Sequence, residues 1–321
     1  MTHELILHHY ATSPFSEKVR LVLGYKGLDW RSVVVPMIMP KPDVVALTGG
    51  YRRTPFLQIG ADIYCDSALM CRVLDKIRPE PPLYPHTSSG LDEIVAQWAD
   101  ASLFWAAVPH AMRSGGGPFI MAKAEPEQDD GRPLPERMKA FAADRAAMMS
   151  GTKVAGASDL KAQLQAYLAR LAALLDDGRP FLLGALASIA DFSAAQSIWF
   201  LRHAPVVAEV LAPHPNVVAW YERIEAIGHG ASAPMTSAEA LQVAASARGH
   251  APAAFDATQG FAPDDEVAVS ALDYASDPIV GRLVGITRDE TVIARNDERA
   301  GAVHVHFPRV GFQVRKQAPQ S

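Results

Sequence analysis

The first eighty residues switch between strand-like and helix-like text in a set order, and that order restricts the fold more than any other property of the chain. Leu5-Ile6-Leu7-His8-His9-Tyr10 reads as a short strand. Ser13-Pro14 then opens a helix, a serine oxygen for the free amides followed by proline at a position that needs no N–H. Phe15, Val19 and Val22 recur at helical spacing, and Gly27 supplies the stop. Residues 30–35 form a second strand running into a proline-rich stretch. Thr54-Pro55 turns into an apolar strand, and Gly60-Ala61-Asp62 joins it in a hairpin to Ile63-Tyr64-Cys65-Asp66. From Ser67, the positions of Leu69, Met70, Val73, Leu74 and Ile77 mark an amphipathic helix that ends at Pro79.

This order is strand, helix, strand, a helix or loop, two hairpin strands, helix. It predicts a thioredoxin-like α/β domain over residues 1–83, with two parallel and two antiparallel strands. Between 91 and 247 the text becomes long helical stretches, which predicts an all-α domain. Within it, Ser188 and Asp191 form a capping box. The helix they open, through Phe192, Ala195, Ile198 and Trp199, is apolar on more than one face and is expected at the centre. Residues 255–321 carry several short strand patterns at near-regular spacing, expected as a small all-β module such as a barrel.

A chain of 321 residues is long enough for such a division, and with 49% hydrophobic and 20% charged residues it has ample material for cores. A net charge of −5 argues against nucleic acid as a partner. The start lacks a basic, then apolar, leader, and the richest apolar stretch, residues 181–190, is far short of a membrane span, so a cytoplasmic location away from membranes is expected. Cys65 and Cys71 accompany no CxxC pair or Cys/His cluster and are expected as reduced, half-buried thiols, which fall on different faces if both lie on or beside one helix.

Four signals stand in sequence order: Ser13-Pro14-Phe15-Ser16-Glu17-Lys18-Val19-Arg20, Thr54-Pro55, Asp66-Ser67, and the Leu-Leu-Gly…Ser-x-x-Asp helix start. Together, over roughly residues 4–247, they resemble the cytosolic glutathione S-transferase superfamily, in a serine-bearing form with an omega- or zeta-like motif. The last module lies outside that resemblance. Ser13 and Ser16 stand where thioredoxin-like proteins carry a redox cysteine pair, so dithiol exchange is excluded there. A hydroxyl at a helix N-terminus instead favours an anion. The resemblance implies that this anion is the thiolate of glutathione, the co-substrate, with Ser13 as the activating group. A thiol of pKa about 8.5 is only a few per cent ionised at neutral pH, and a donated hydrogen bond lowers that pKa. Serine in place of the omega-class cysteine argues against reductase-type activity.

The resemblance further implies that Thr54, before a cis-Pro55, pairs with the cysteinyl backbone of glutathione, and that Asp66 and Ser67 hold its γ-glutamyl end. Lys41 or Arg53 is the cation for the glycyl carboxylate. Tyr10, a rival hydroxyl to Ser13, joins Phe15, Trp105 and His110 as candidates for the electrophile site, with Trp98 and Phe104 nearby. A homodimer acting in detoxification of small hydrophobic electrophiles is implied. Two readings stay open beside it: a non-catalytic glutathione- or partner-binding scaffold, and a specialised glutathione-dependent lyase or dehalogenase. His304-Val305-His306 puts two imidazoles on one strand face, but with no third ligand recognisable it is expected as an ordinary exposed face without metal.

Overall fold

Successive side chains of a strand point to opposite faces, so β1 (Leu5–His9) places Leu5 and Leu7 on one side and Ile6 on the other, and both sides need cover. The computed structural model, which describes residues 4–85, 89–124, 128, 130–153 and 155–317, draws that cover from distant parts of the chain. α1 (Pro14–Tyr25) begins where predicted, with Ser13 as N-cap accepting from the Ser16 amide at 3.2 Å. β2 (Trp30–Val34) is parallel to β1, and α2 (Pro42–Thr48) resolves the helix-or-loop alternative. β3 (Phe56–Ile59) and β4 (Asp62–Cys65) form the hairpin, with β3 antiparallel to β1. α3 (Ser67–Ile77) follows, capped by the Asp66 carboxylate, which accepts from the Ala68 amide at 2.9 Å.

In the helical region, α4 (Ser89–Trp98) continues through a π-helical turn at Ala99–Leu103 into α5 (Phe104–Ala111). Next come α6 (Gly117–Lys123), α7 (Leu134–Met148) and α8 (Ala157–Leu174). α9 (Ile189–Arg202) is central, buried from Ile189 through Leu201 and packed against α1, α4 and α5. Its capping box is extended: the Asp191 carboxylate accepts from the Ser188 amide and hydroxyl, the Leu182 amide and the Trp220 indole. α10 (Pro205–Ala208) and α11 (Pro215–Glu225) complete the bundle.

The helical region was expected to run to 247, yet the chain returns to the first sheet earlier. β5 (Ser232–Pro234) pairs in parallel with β2, and α12 (Ser237–Ser246) lies on α2. The return loop touches α1 backbone to backbone: a Cβ on Gly24 would sit 2.1 Å from the Gly228 carbonyl oxygen, so only glycine fits.

The last module comprises β6 (Glu266–Ala271), β7 (Ile279–Ile286), β8 (Glu290–Asp297), β9 (Gly301–Pro308) and β10 (Phe312–Lys316), in spatial order β10-β6-β7-β8-β9. In a flat sheet the outer two strands would be about 19 Å apart, four spacings of about 4.8 Å. The step from Pro308 to Phe312 reaches at most about 14 Å. The sheet therefore curls, helped by a bulge between Leu283 and Gly285, and brings Phe307 and Phe312 to a ring separation of 5.7 Å. This is the expected all-β module, curled but with no β9–β10 pairing to close it among the described residues, and it is not a detached tail. β9 pairs in parallel with β4, so ten strands form one hydrogen-bonded sheet and Phe307 shares a core with Ile6, Phe56 and Ile63.

Two expectations need correction here. Both cysteines are fully buried rather than half-buried, Cys65 in the core shared with the module and Cys71 in the helical core; burial pushes the Cys71 thiol up to about 12. His304 and His306 do not form an exposed face, because the His250 ring stacks on His304 at 3.6 Å and the Tyr64 ring of β4 packs on His306 at 4.3 Å. His306 is 2% exposed, with Nε2 3.0 Å from Asp62 Oδ1 and Nδ1 2.8 Å from Glu290 Oε1.

Candidate functional site

A cavity of about 340 Å³ opens where the first domain, the α4–α5 run and the β module meet, within the size range of small-molecule sites. Each contributes one wall. The first carries Thr54, Pro55, Asp66 and Ser67, and the Thr54–Pro55 peptide is cis. Asp66 adopts φ +75°, a left-handed value uncommon outside glycine, and its capping bond to Ala68 holds it there. On the second wall, Phe104 and Trp105 from α5 face Phe15, with the Phe15 and Phe104 rings 4.7 Å apart. The third wall comes from the module: Asp273 and Tyr274 in the β6–β7 loop, and Val310, Gly311 and Phe312 before and within β10.

Beneath Ser67 lies a buried charge network. Lys18 Nζ donates to Ser67 Oγ at 3.3 Å and to Asp100 Oδ2 at 2.6 Å, and Asp100 Oδ1 accepts from the Gln196 amide at 2.7 Å. Burial, the largest single influence, disfavours the Lys18 ammonium, but Asp100 together with the nearby Cys71 and Asp66 holds its pKa above the ordinary lysine value. Lys18 and Asp100 line the cavity and were not singled out in the sequence, although Lys18 lies within the Ser13–Arg20 motif, one helical turn beyond Pro14.

The structure thus brings Arg53, Thr54, Pro55, Asp66, Ser67, Phe15 and Trp105 to one cavity. Five candidates are placed elsewhere. Ser13 is 2% exposed and does not line the cavity; its hydroxyl donates to the Thr54 carbonyl at 3.3 Å. Tyr10 is buried in the core shared with the module, and His110 is buried on α5, its Nδ1 3.4 Å from Ser114 Oγ. Lys41 sits behind Thr54, Nζ 3.5 Å from Thr54 Oγ1, where burial and the nearby Arg145 push its pKa down to about 7. Trp98 packs against Tyr167 rather than the cavity.

Arg53 is engaged by the module. Its guanidinium donates to Asp273 and to the Tyr274 carbonyl, and stacks on the Tyr274 ring at 4.1 Å. Tyr274 in turn meets Trp105 edge-on at 5.2 Å, so the module's loop bridges the two other walls. Burial pushes the Tyr274 phenol up to about 12, so at neutral pH it is a neutral hydrogen-bond donor. The Arg53 Nε–H is buried and has no partner among the described residues.

Two family models match the chain: the glutathione S-transferase N-terminal domain over residues 7–82 and the C-terminal domain over residues 140–223. A GST-like protein from Pseudomonas syringae, known from its crystal structure, is 40% identical, with the match covering 99% of this chain and 100% of that one at a TM-score of 0.77. The chain belongs to the glutathione S-transferase superfamily. Because that match spans both chains almost completely, this superfamily member shares its β module with the Pseudomonas protein. Two more distant structures share the fold alone. Beta-etherase LigF from Sphingobium sp. strain SYK-6 is 20% identical over 70% of this chain and 96% of its own, at a TM-score of 0.52. FzlA from C. crescentus is 19% identical over 69% and 88%, at 0.51. No curated protein matches significantly. Membership supports a glutathione-binding function, and no helix among the described residues is long and apolar enough to cross a membrane.

Proposed function

We propose that the chain is a glutathione-dependent transferase that directs the glutathione thiolate at a small hydrophobic electrophile. One observation carries the reading: Thr54, Asp66 and Ser67 converge on a cavity whose facing wall is Phe15, Phe104 and Trp105. The γ-glutamyl carboxylate meets Ser67 Oγ and the first amides of α3, with the Lys18 ammonium beneath, and Asp66 takes the γ-glutamyl ammonium. The free Arg53 Nε–H suits the glycyl carboxylate better than Lys41, which lies behind Thr54. The sulfur falls towards the N-terminus of α1. The thiol loses its proton to solvent, the thiolate forms a bond to the electrophilic carbon, and the leaving group departs with its electron pair.

Ser13 has a single O–H, so it can donate to that sulfur only by releasing the Thr54 carbonyl. Its burial favours a second reading, a protein that binds glutathione without activating it. Titration calorimetry with reduced glutathione tests the shared premise. Binding is expected, weakened about tenfold by Ser67→Ala and by Arg53→Ala, the loss of one charge-assisted hydrogen bond each. The absence of heat and of thermal stabilisation at millimolar glutathione would sink both readings. The absorbance of the bound thiolate against pH then separates them: a bound-thiol pKa lowered in the wild type and restored in Ser13→Ala supports the transferase, and one that stays near 8.5 in both supports simple binding. Dimerisation, a cytoplasmic location and a detoxifying role belong to the same proposal, the first of them read by sedimentation.

A further inference from the structure

A second cluster of ionisable side chains lies at the seam between the first domain and the β module, and none of its members lines the cavity. Asp62 comes from β4, His304 from β9, and His250 from the link that follows α12. One ligand-capable atom from each falls within 4.8 Å of the others. We propose that Asp62, His250 and His304 form a binding site for a divalent transition-metal ion of the zinc type, which clips the module onto the first domain.

Two nitrogens at this seam are orphaned. The His250 and His304 rings stack 3.6 Å apart at 11°, and the Nδ1 atom of each is buried without a hydrogen-bond partner among the described residues. Both approach one carboxylate oxygen, Asp62 Oδ1, His250 at 3.6 Å and His304 at 3.9 Å, outside hydrogen-bond range. Buried imidazole nitrogens ordinarily have partners. A cation between the three atoms supplies a partner to all of them together.

In a tetrahedral shell with bonds of about 2.0–2.1 Å, neighbouring ligand atoms are about 3.4 Å apart. The two histidine nitrogens stand 3.6 and 3.9 Å from Asp62 Oδ1, close to that spacing, and because their rings stack face to face one ring turns on binding so that both in-plane lone pairs meet the ion. Two imidazoles and one carboxylate, with no thiolate, select zinc-type ions over magnesium or calcium, which prefer all-oxygen shells. Both histidines keep partial exposure, which leaves water for the fourth position.

The surroundings hold the carboxylate in place. Asp62 Oδ2 accepts from the Ala251 amide at 2.8 Å. His306 Nε2 lies 3.0 Å from Asp62 Oδ1, and His306 Nδ1 lies 2.8 Å from Glu290 Oε1. This carboxylate–imidazole–carboxylate chain is the kind of outer-shell support that orients metal ligands. The location is also where a clip has most effect. β4 and β9 share only three residue pairs in register, whereas β8 and β9 share eight, so the join between domain and module is the narrow part of the sheet.

The test uses the full chain after treatment with a chelator, titrated with zinc and analysed for bound metal. One ion per chain is expected, together with a rise in melting temperature on zinc addition. His250→Ala and His304→Ala should each lose the ion while keeping the wild-type circular dichroism spectrum. Glu290→Gln, which touches no proposed ligand directly, should weaken zinc binding about 10–100-fold. Cobalt in place of zinc should give the visible absorption of a tetrahedral nitrogen–oxygen site, lost in both histidine variants. The proposal is overturned if the wild type takes up no stoichiometric zinc or cobalt. It is equally overturned if folded His250→Ala and His304→Ala bind zinc as the wild type does.

Discussion

Ser13 shows how much one residue's role depends on a single neighbour. Its function as the N-cap of α1 follows from Ser-Pro in the sequence and is present in the structure, but its hydroxyl proton is committed to the Thr54 carbonyl, 41 residues away. The histidines of β1 carry a different consequence. His8 is buried, stacked on Phe56 and bonded to Gln58, and burial lowers its pKa from 6.5 to about 4. His9 lies between Ser32 and Arg20, and burial, with Arg20 next, lowers its pKa to about 3. Both are neutral in the folded chain at pH values where the unfolded chain protonates them. The unfolded state therefore binds more protons below pH 6.5, and the stability present above that pH is lost as pH falls through 6.5 towards 4 and 3. The expected loss by pH 4 is of the order of several kcal/mol for the pair, at about 1.4 kcal/mol per pH unit per proton. Denaturant unfolding between pH 8 and 4 checks it; a stability independent of pH across that range would contradict the burial of both imidazoles.

Among the elements, α9 and the β6–β7 loop show two ways of anchoring. The start of α9 hangs on Asp191, whose carboxylate takes four donors from Ser188, Leu182 and Trp220. Asp191→Ala leaves those donors buried and unmatched, and is expected to cost roughly 4 kcal/mol of unfolding free energy in urea, where an ordinary exposed cap costs about 1. The β6–β7 loop is held instead by the Tyr274 ring, against Arg53 on one side and Trp105 on the other. Tyr274→Ala should remove roughly 2 kcal/mol of cation–π and aromatic contact. If the cavity serves as proposed, the same change widens it, raising KM for the electrophile with little effect on kcat; steady-state kinetics on the variant decides this. The capping box of α9 was legible because its residues are three apart. The loop was not, since nothing near Tyr274 in the sequence points to Arg53.

At the scale of the whole molecule, the β module and the first domain act as one unit. Val303, Val305 and Phe307 of β9 share a core with Val33, Phe56 and Ile63, and Arg299 at the β8–β9 turn pairs with Asp43 of α2. A chain ending after residue 248 would expose the β4 edge and that apolar face. Such a truncation is expected to aggregate or to lose cooperative unfolding, as read by size-exclusion chromatography and urea denaturation. A monodisperse truncated chain melting like the full one would show that the module contributes nothing to the core.

Element order, helix caps and the short strands of the module could be read from the sequence, because each rests on residues a few positions apart, whereas the cis peptide at Pro55 was implied by the family resemblance. The tertiary structure alone decided the long-range pairings. Residues 62–64 of β4 align with 304–306 of β9, and no local pattern encodes a match across some 240 positions. From that one pairing follow the burial of His306, the convergence of Asp62, His250 and His304, and the module's place as the third wall of the cavity. Propensity, capping and periodicity act along the chain and are legible there. The edge on which a sheet continues is set by shape and apolar cover between distant segments, and only the folded molecule shows it.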